Sequence, residues 1–198
     1  MREESIRELS RAAFRLFVGQ GYGATSLSEI ANAAGLTKGA IFFYFSSKEN
    51  LMLSLLDIVE ANIADTLIAR LDQTKGGAAE KIAAFFRHTS QAGVERPDEL
   101  LCLIKVSIEF HNRGDAIDRR ATAIYNRFHG ALAAILEDGR ARGEIDPTLP
   151  VVELASMVIA THDGMMLEWH RRGETIDGRR LVRTVWSTFL HGIVPQVA

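Results

Sequence analysis

One cysteine in 198 residues leaves this chain without the means to form an internal disulfide. That cysteine, Cys102, sits in the apolar stretch 100–108, where a free thiol is a packing residue rather than a nucleophile. Redox chemistry is therefore not expected. Long apolar runs are also missing: none reaches the roughly 18 residues of a membrane span, so no membrane partner is expected. The opening residues Met1, Arg2, Glu3, Glu4 and Ser5 are acidic and polar where a secretory signal is basic and then apolar, which makes a cytoplasmic location the expectation. Charge of one sign is lacking too. With 23 Lys and Arg against 25 Asp and Glu, the surface cannot be basic throughout, so any binding to a polyanion must rest on localised contacts. What the chain does have is 47% hydrophobic residues, enough for one good core and a small second domain without a metal.

Catalytic constellations are equally scarce. The histidines at 88, 111, 129, 162, 170 and 191 have neither the H-E-x-x-H nor the paired-cysteine spacing of a metal site, and no serine lies in a G-x-S-x-G elbow. Gly19, Gly21 and Gly23 follow an amphipathic helix rather than a strand, which argues against a phosphate loop. No enzyme, cofactor or metal is expected.

No stretch alternates with the period of a strand, and the apolar residues recur at helical spacing, so the fold is predicted to be all-α with about nine helices. In the first helix Ile6, Leu9, Ala13, Leu16 and Phe17 share a face, and Gly19, Gly21 and Gly23 end it. Ser26 and Glu29 form a capping box that opens a short second helix carrying Leu27, Ile30, Ala31 and Ala34, stopped at Gly35. Thr37 is a good N-cap for a third helix running through Phe45. Ser46, Ser47, Lys48 and Glu49 then start a long fourth helix, expected over 48–71. Further helices are predicted at 78–94, 98–112, 116–142, 151–171 and 178–193, separated by polar, Gly- or Pro-containing breaks.

Residues 27–44 have the spacing of a helix-turn-helix. Ala31 is small where two helices cross, Gly35 permits a left-handed turn, and Ile30, Leu36 and Ile41 supply a small core. Spacing alone also fits a helical hairpin inside some other all-α protein. The third helix argues for the DNA reading. If Ile41 and Phe45 point inward, several of Lys38, Gly39, Ala40, Phe42, Phe43 and Tyr44 face outward. A DNA major groove gives such residues a purpose: Gly39 and Ala40 allow close approach to base edges, an aromatic can meet a thymine methyl, and the Tyr44 hydroxyl can meet a phosphate. Thr25, Ser26, Thr37 and Lys48 lie at or near helix N-termini, which suit phosphate oxygens.

The runs Thr25 to Ala31, Ala34 to Ile41, Tyr44-Phe45 and Ser47 to Leu51 closely resemble the DNA-binding signature of the TetR family, over roughly residues 6–56. The resemblance implies a helix-turn-helix DNA-binding domain over 1–47 and a helical-bundle ligand-binding and dimerisation domain over 48–198. It further implies phosphate contacts at Thr25, Ser26 and Thr37, base reading over residues 38–43, and backbone contacts at Tyr44 and Lys48. Phe42 and Phe43 depart from the family, many members having tyrosine at the first position and histidine or tyrosine at the second. Base reading at Phe43 is therefore expected to be largely apolar.

The resemblance also implies a homodimer through the helices near 151–171 and 178–193. The apolar stripe Leu154, Val158, Met165 and Trp169 and the stripe Leu181, Val185, Phe189 and Gly192 are the expected faces, with an intramolecular core as the alternative. Candidate ligand-binding residues among the middle helices are Phe86, Glu109, Tyr125, Phe128, His129, Met157, His162 and Met166, although each could equally be ordinary packing and Glu109 a solvated partner of Lys105. This mixture points to an apolar or amphipathic small molecule. The expected function is a regulator released from a palindromic double-stranded operator by that molecule. The alternative is a ligand-independent DNA-binding protein of the same fold under the control of a protein partner.

Overall fold

A computed structural model of the chain describes residues 2–193, apart from the side chains of Glu174 and residues 190–193. The described residues are helical without strands. In order they form α1 (Arg2–Gln20), α2 (Leu27–Ala33), α3 (Lys38–Tyr44), α4 (Lys48–Val59), a π-helical segment (Glu60–Asp65), α5 (Thr66–Gln73), α6 (Ala78–Glu95), α7 (Pro97–Glu109), α8 (Ala116–Ala141), α9 (Val151–Arg172) and α10 (Gly178–Ile193). The long fourth helix predicted from sequence is thus α4, the π segment and α5 in succession. The helix predicted over 98–112 is shorter than expected, because Asn112 and Gly114 take left-handed backbone angles, φ +62° and +67°, which a continuing helix does not allow.

Two compact units result. The first comprises Met1–Asn62 and Arg96–Ala123. Within it α1 packs on α2, α4 and α7, α2 packs on α3, and α4 packs on α7. Leu9, Ala13, Ile30, Ala31, Ile41, Leu51, Leu55 and Leu56 form its fully buried centre, so the apolar face read from residues 6–17 is indeed the packed one. Cys102 is buried on α7, where desolvation pushes its thiol up to about 12. A thiolate is the reactive form, so this thiol is inert packing. Arg120 at the start of α8 donates to Asp57 of α4 at 2.7 Å and to Glu60 in the π segment.

The second unit comprises Ile63–Glu95 and Ile124–Ala198. In it α6 is the shared partner, packing on α5, α9 and α10. The end of α8 is fastened to the start of α6: Glu144 Oε2 accepts the Ala78 N–H at 2.7 Å, and Gly139 comes so close to Ala78 that a β-carbon at 139 would lie 2.5 Å from the Ala78 β-carbon. Of the stripes expected to face a second copy, four members are packed within the unit itself. Leu154, Val158 and Met165 are buried, Trp169, Leu181 and Val185 are half-buried, and the buried Phe189 meets Phe86 of α6 at a ring separation of 6.0 Å. On α6 Ile82, Phe85 and Phe86 are buried, and Phe85 meets His162 of α9 as Phe86 meets Phe189 of α10. The outward face of α9 carries Glu153, Met157, Ala160 and Gly164. Gly192, the last member of the expected stripe, lies outside the described side chains.

Candidate functional site

The DNA-contact candidates belong to the first unit, where local chemistry fixes each helix end. Ser26 Oγ accepts the Glu29 N–H at 3.2 Å while Glu29 Oε2 accepts the Ser26 N–H at 2.7 Å, the reciprocal pair read from sequence. The hydroxyl and amide of Ser26 hold the Glu29 carboxyl below the usual carboxylate range. At the other end of α2 the Gly35 N–H donates to Asn32 O at 3.1 Å and the Leu36 N–H to Ala31 O at 2.9 Å, a Schellman closure. Gly35 takes φ +68° there, with nothing within 4 Å of where a β-carbon would sit, so the backbone angle and not space calls for glycine. Thr37 Oγ1 then caps α3 by accepting the Ala40 N–H at 3.2 Å.

These caps set how α3 is displayed. Ile41 and Phe45 are buried, as expected, and the rest of the helix faces out: Phe43 is 78% exposed and Phe42 47%. Lys38 and Gly39 are exposed beside them, and Ala40 and Tyr44 are half-exposed. Phe43 and Tyr44 meet edge to face at 5.1 Å, while Lys38 Nζ stands 5.9 Å from the Phe42 ring. The exposed hydroxyl of Thr37 accepts at its own cap, which leaves its O–H free to donate to an external oxygen.

Two expected phosphate contacts are held differently. Thr25 is only 2% exposed and its hydroxyl donates to Gly21 O at 2.8 Å, so the side chain closes the loop before α2 instead of facing solvent. Lys48 donates from Nζ to Tyr22 O at 2.9 Å and to Thr25 O at 3.0 Å, with its ammonium 4.2 Å from the Tyr22 ring centroid. Two of its three donors are therefore engaged within the chain, and its first role is to brace the loop.

Tyr22, which the sequence reading passed over, is the centre of that brace. Its ring lies 5.4 Å from Phe17 and 5.0 Å from Phe110, and its N–H donates to Glu109 Oε2 at 3.4 Å. Burial, and then the neighbouring carboxylate of Glu49, raise the pKa of its hydroxyl. The available signal was a large aromatic set between the glycines at 21 and 23. Glu109, expected in the ligand set, belongs to this brace in the first unit, and Lys105 donates to Val18 O.

The other seven ligand candidates lie in the second unit. Phe86, Phe128, His162 and Met166 are buried, and Tyr125 and His129 are half-buried. Met157, 45% exposed on the outward face of α9, does not join them. Four of the set are linked through two residues absent from the expectation. Phe85 meets both Phe86, at 5.8 Å, and His162, at 6.0 Å. Asp163 accepts from Tyr125 Oη at 2.8 Å and lies 3.0 Å from His162 Nδ1, and the Tyr125 ring meets Phe128 at 6.1 Å.

Comparison with known proteins gives this arrangement a family. The family model described as bacterial regulatory proteins, tetR family, matches residues 9–55, and the model described as tetracyclin repressor-like, C-terminal domain, matches residues 81–175. The chain is 37% identical to the MbdR regulator of Azoarcus sp. CIB, whose crystal structure superimposes with a TM-score of 0.88, covering 96% of this chain and all of that one. It is 28% identical over 191 residues to the A-factor receptor protein of Streptomyces griseus, covering 96% of this chain but spanning 64% of that relative's length. AibR, solved in complex with isovaleryl coenzyme A and operator DNA, shares the fold with a TM-score of 0.80 at 17% identity, covering 93% of this chain and 97% of that one. The capped α2, the glycine turn and the outward aromatic α3 fall inside the first matched segment, and the ring cluster of α6, α8 and α9 falls inside the second apart from its Phe189 end. On both matches and on the relative that the chain covers from end to end, the chain belongs to the TetR family of bacterial regulatory proteins.

Proposed function

We propose that the chain is a cytoplasmic transcriptional repressor that leaves a palindromic operator when a small molecule binds its second unit. The observation that carries the DNA part is α3: a helix capped by Thr37, anchored by Ile41 and Phe45, that exposes Lys38, Gly39, Phe42 and Phe43 together. Large apolar side chains held in water are costly unless a partner covers them, and a groove with thymine methyls does so. Ser26, Thr37 and Tyr44 flank this helix with hydroxyls for phosphate oxygens, and Lys38 adds a cation. Thr25 and Lys48 act one step back, by holding the loop that positions α2.

On this reading residues 1–47 bind DNA and residues 48–198 bind the effector and a second copy through α9 and α10. The exposed Val152, Met157, Ala160 and Gly164 on α9 support that dimer face. An apolar or amphipathic effector suits the aromatic character of the second unit, and the isovaleryl coenzyme A bound by AibR makes acyl thioesters the first class to try. Selection of bound sequences from random duplex DNA tests the proposal. An inverted repeat with half-sites about 10 bp apart, or a multiple of that, is the expected result. No enrichment at low salt would refute it.

A further inference from the structure

His162 on α9 is 5% exposed, and its two ring nitrogens are treated very differently. Nδ1 lies 3.0 Å from Asp163 Oδ1, and the second oxygen of that carboxylate accepts the Tyr125 hydroxyl at 2.8 Å. A carboxylate only accepts, so Nδ1 carries the hydrogen, and in the neutral form of the imidazole Nε2 presents a lone pair. That nitrogen is fully buried and has no hydrogen-bond partner among the described residues. A buried acceptor left unpaired is disfavoured, and proteins seldom retain one without a use. Here it is also oriented, since Asp163 and Tyr125 fix the ring from one side. An aromatic lies on the ring as well: Phe85 stands edge to face with the imidazole at 6.0 Å, and Phe86 continues the ring series at 5.8 Å. Phe128 flanks Tyr125.

We infer that His162 Nε2, positioned by Asp163 and Tyr125, is the polar recognition point for the effector, and that the effector is an aromatic molecule carrying a hydroxyl or N–H donor at its edge. The aromatic body replaces the ring contacts that Phe85 makes with Phe86 and His162, and the donor satisfies the lone pair. This rests on the reading of the second unit as a sensor. The site discriminates sharply, because an analogue that lacks the donor buries the same nitrogen unpaired. Asp163 and Tyr125 are positioning residues and touch the ligand only through the imidazole they hold.

The test compares 4-ethylphenol with 4-ethylanisole, which has the same ring and alkyl group but no donor, on the full-length protein. Binding is read by calorimetry, and the His162 Nε2 resonance by nitrogen-15 NMR of histidine-labelled protein. Wild type is expected to bind the phenol about tenfold or more tightly than the ether and to show a shift at Nε2 only with the phenol. His162→Phe is expected to bring the two affinities together, and Tyr125→Phe to narrow the gap by loosening the imidazole. Equal affinities for the two probes in wild type, an unmoved Nε2 resonance, or no binding of either would each overturn the inference, whether or not the variants fold. Operator release measured in parallel separates the two proposals. Release by isovaleryl coenzyme A that His162→Phe leaves intact would refute the role of His162 while the sensor stands. Phenol binding through Nε2 without any release would support that role and count against ligand-released repression.

Discussion

At the scale of single residues, the two lysines of the head divide their work by what their ammonium groups touch. Lys38 is exposed beside Phe42, whereas Lys48 is engaged by two carbonyls and the Tyr22 ring. Lys38→Ala should shallow the slope of log affinity against log salt by about one while leaving thermal stability unchanged. Lys48→Ala should instead lower the melting temperature, through a loss of about 1–3 kcal/mol, as two carbonyls of the loop lose a charged donor. Salt titrations and melts on both variants check this division, and a salt-slope effect confined to Lys48→Ala would contradict it. Sequence spacing put both lysines at the DNA because position along a helix was all it could read. That one ammonium bends back to residues 22 and 25 depends on where the loop folds.

At the scale of elements, the helix ends were the most legible part because their chemistry is local. Ser26 with Glu29, Gly35 and Thr37 act within a few residues of one another, and the structure uses each as its type dictates. Glu29 carries a pH consequence. Its folded pKa lies below the ordinary value, so its contribution is present above the usual carboxylate range and is lost as pH falls through that range and below. Ser26→Ala should therefore lower the urea midpoint at neutral pH, and the gap from wild type should narrow in acid, where only the bond from the Glu29 N–H to the hydroxyl is left to lose. A gap independent of pH would mean that the Glu29 carboxylate takes no part in it. The contact between α8 and α6 makes a second element-level prediction: with Ala78 2.5 Å from a β-carbon at 139, Gly139→Val should cost about 1–3 kcal/mol, read from denaturant midpoints. That contact was invisible beforehand, as were the Glu144–Ala78 and Tyr125–Asp163 bonds, since their partners lie 66 and 38 residues apart. For the same reason the packing of Leu154, Val158, Met165 and Phe189 within the second unit could not be told from a face for a second copy.

For the molecule as a whole, near-balanced charge means that DNA affinity cannot come from a general basic surface, and the proposal places it on α3 and its flanking caps. The fold class and the outward display of α3 were therefore readable from pattern, while the ring cluster of the second unit was only partly so. Aromatic and histidine types mark the second unit, but Phe85 and Asp163, the residues that link them, carry no periodic signal of their own. The central claim is that α3 reads base sequence with an apolar face, and its most direct measurement is the affinity of wild type and Phe43→Ala for the selected operator and for single-base variants of it, each across a salt series. The account predicts that Phe43→Ala loses discrimination at one or two positions of each half-site, by about 1–3 kcal/mol, with the salt slope unchanged. A uniform loss on every sequence accompanied by a shallower slope, or no loss at all, would contradict it.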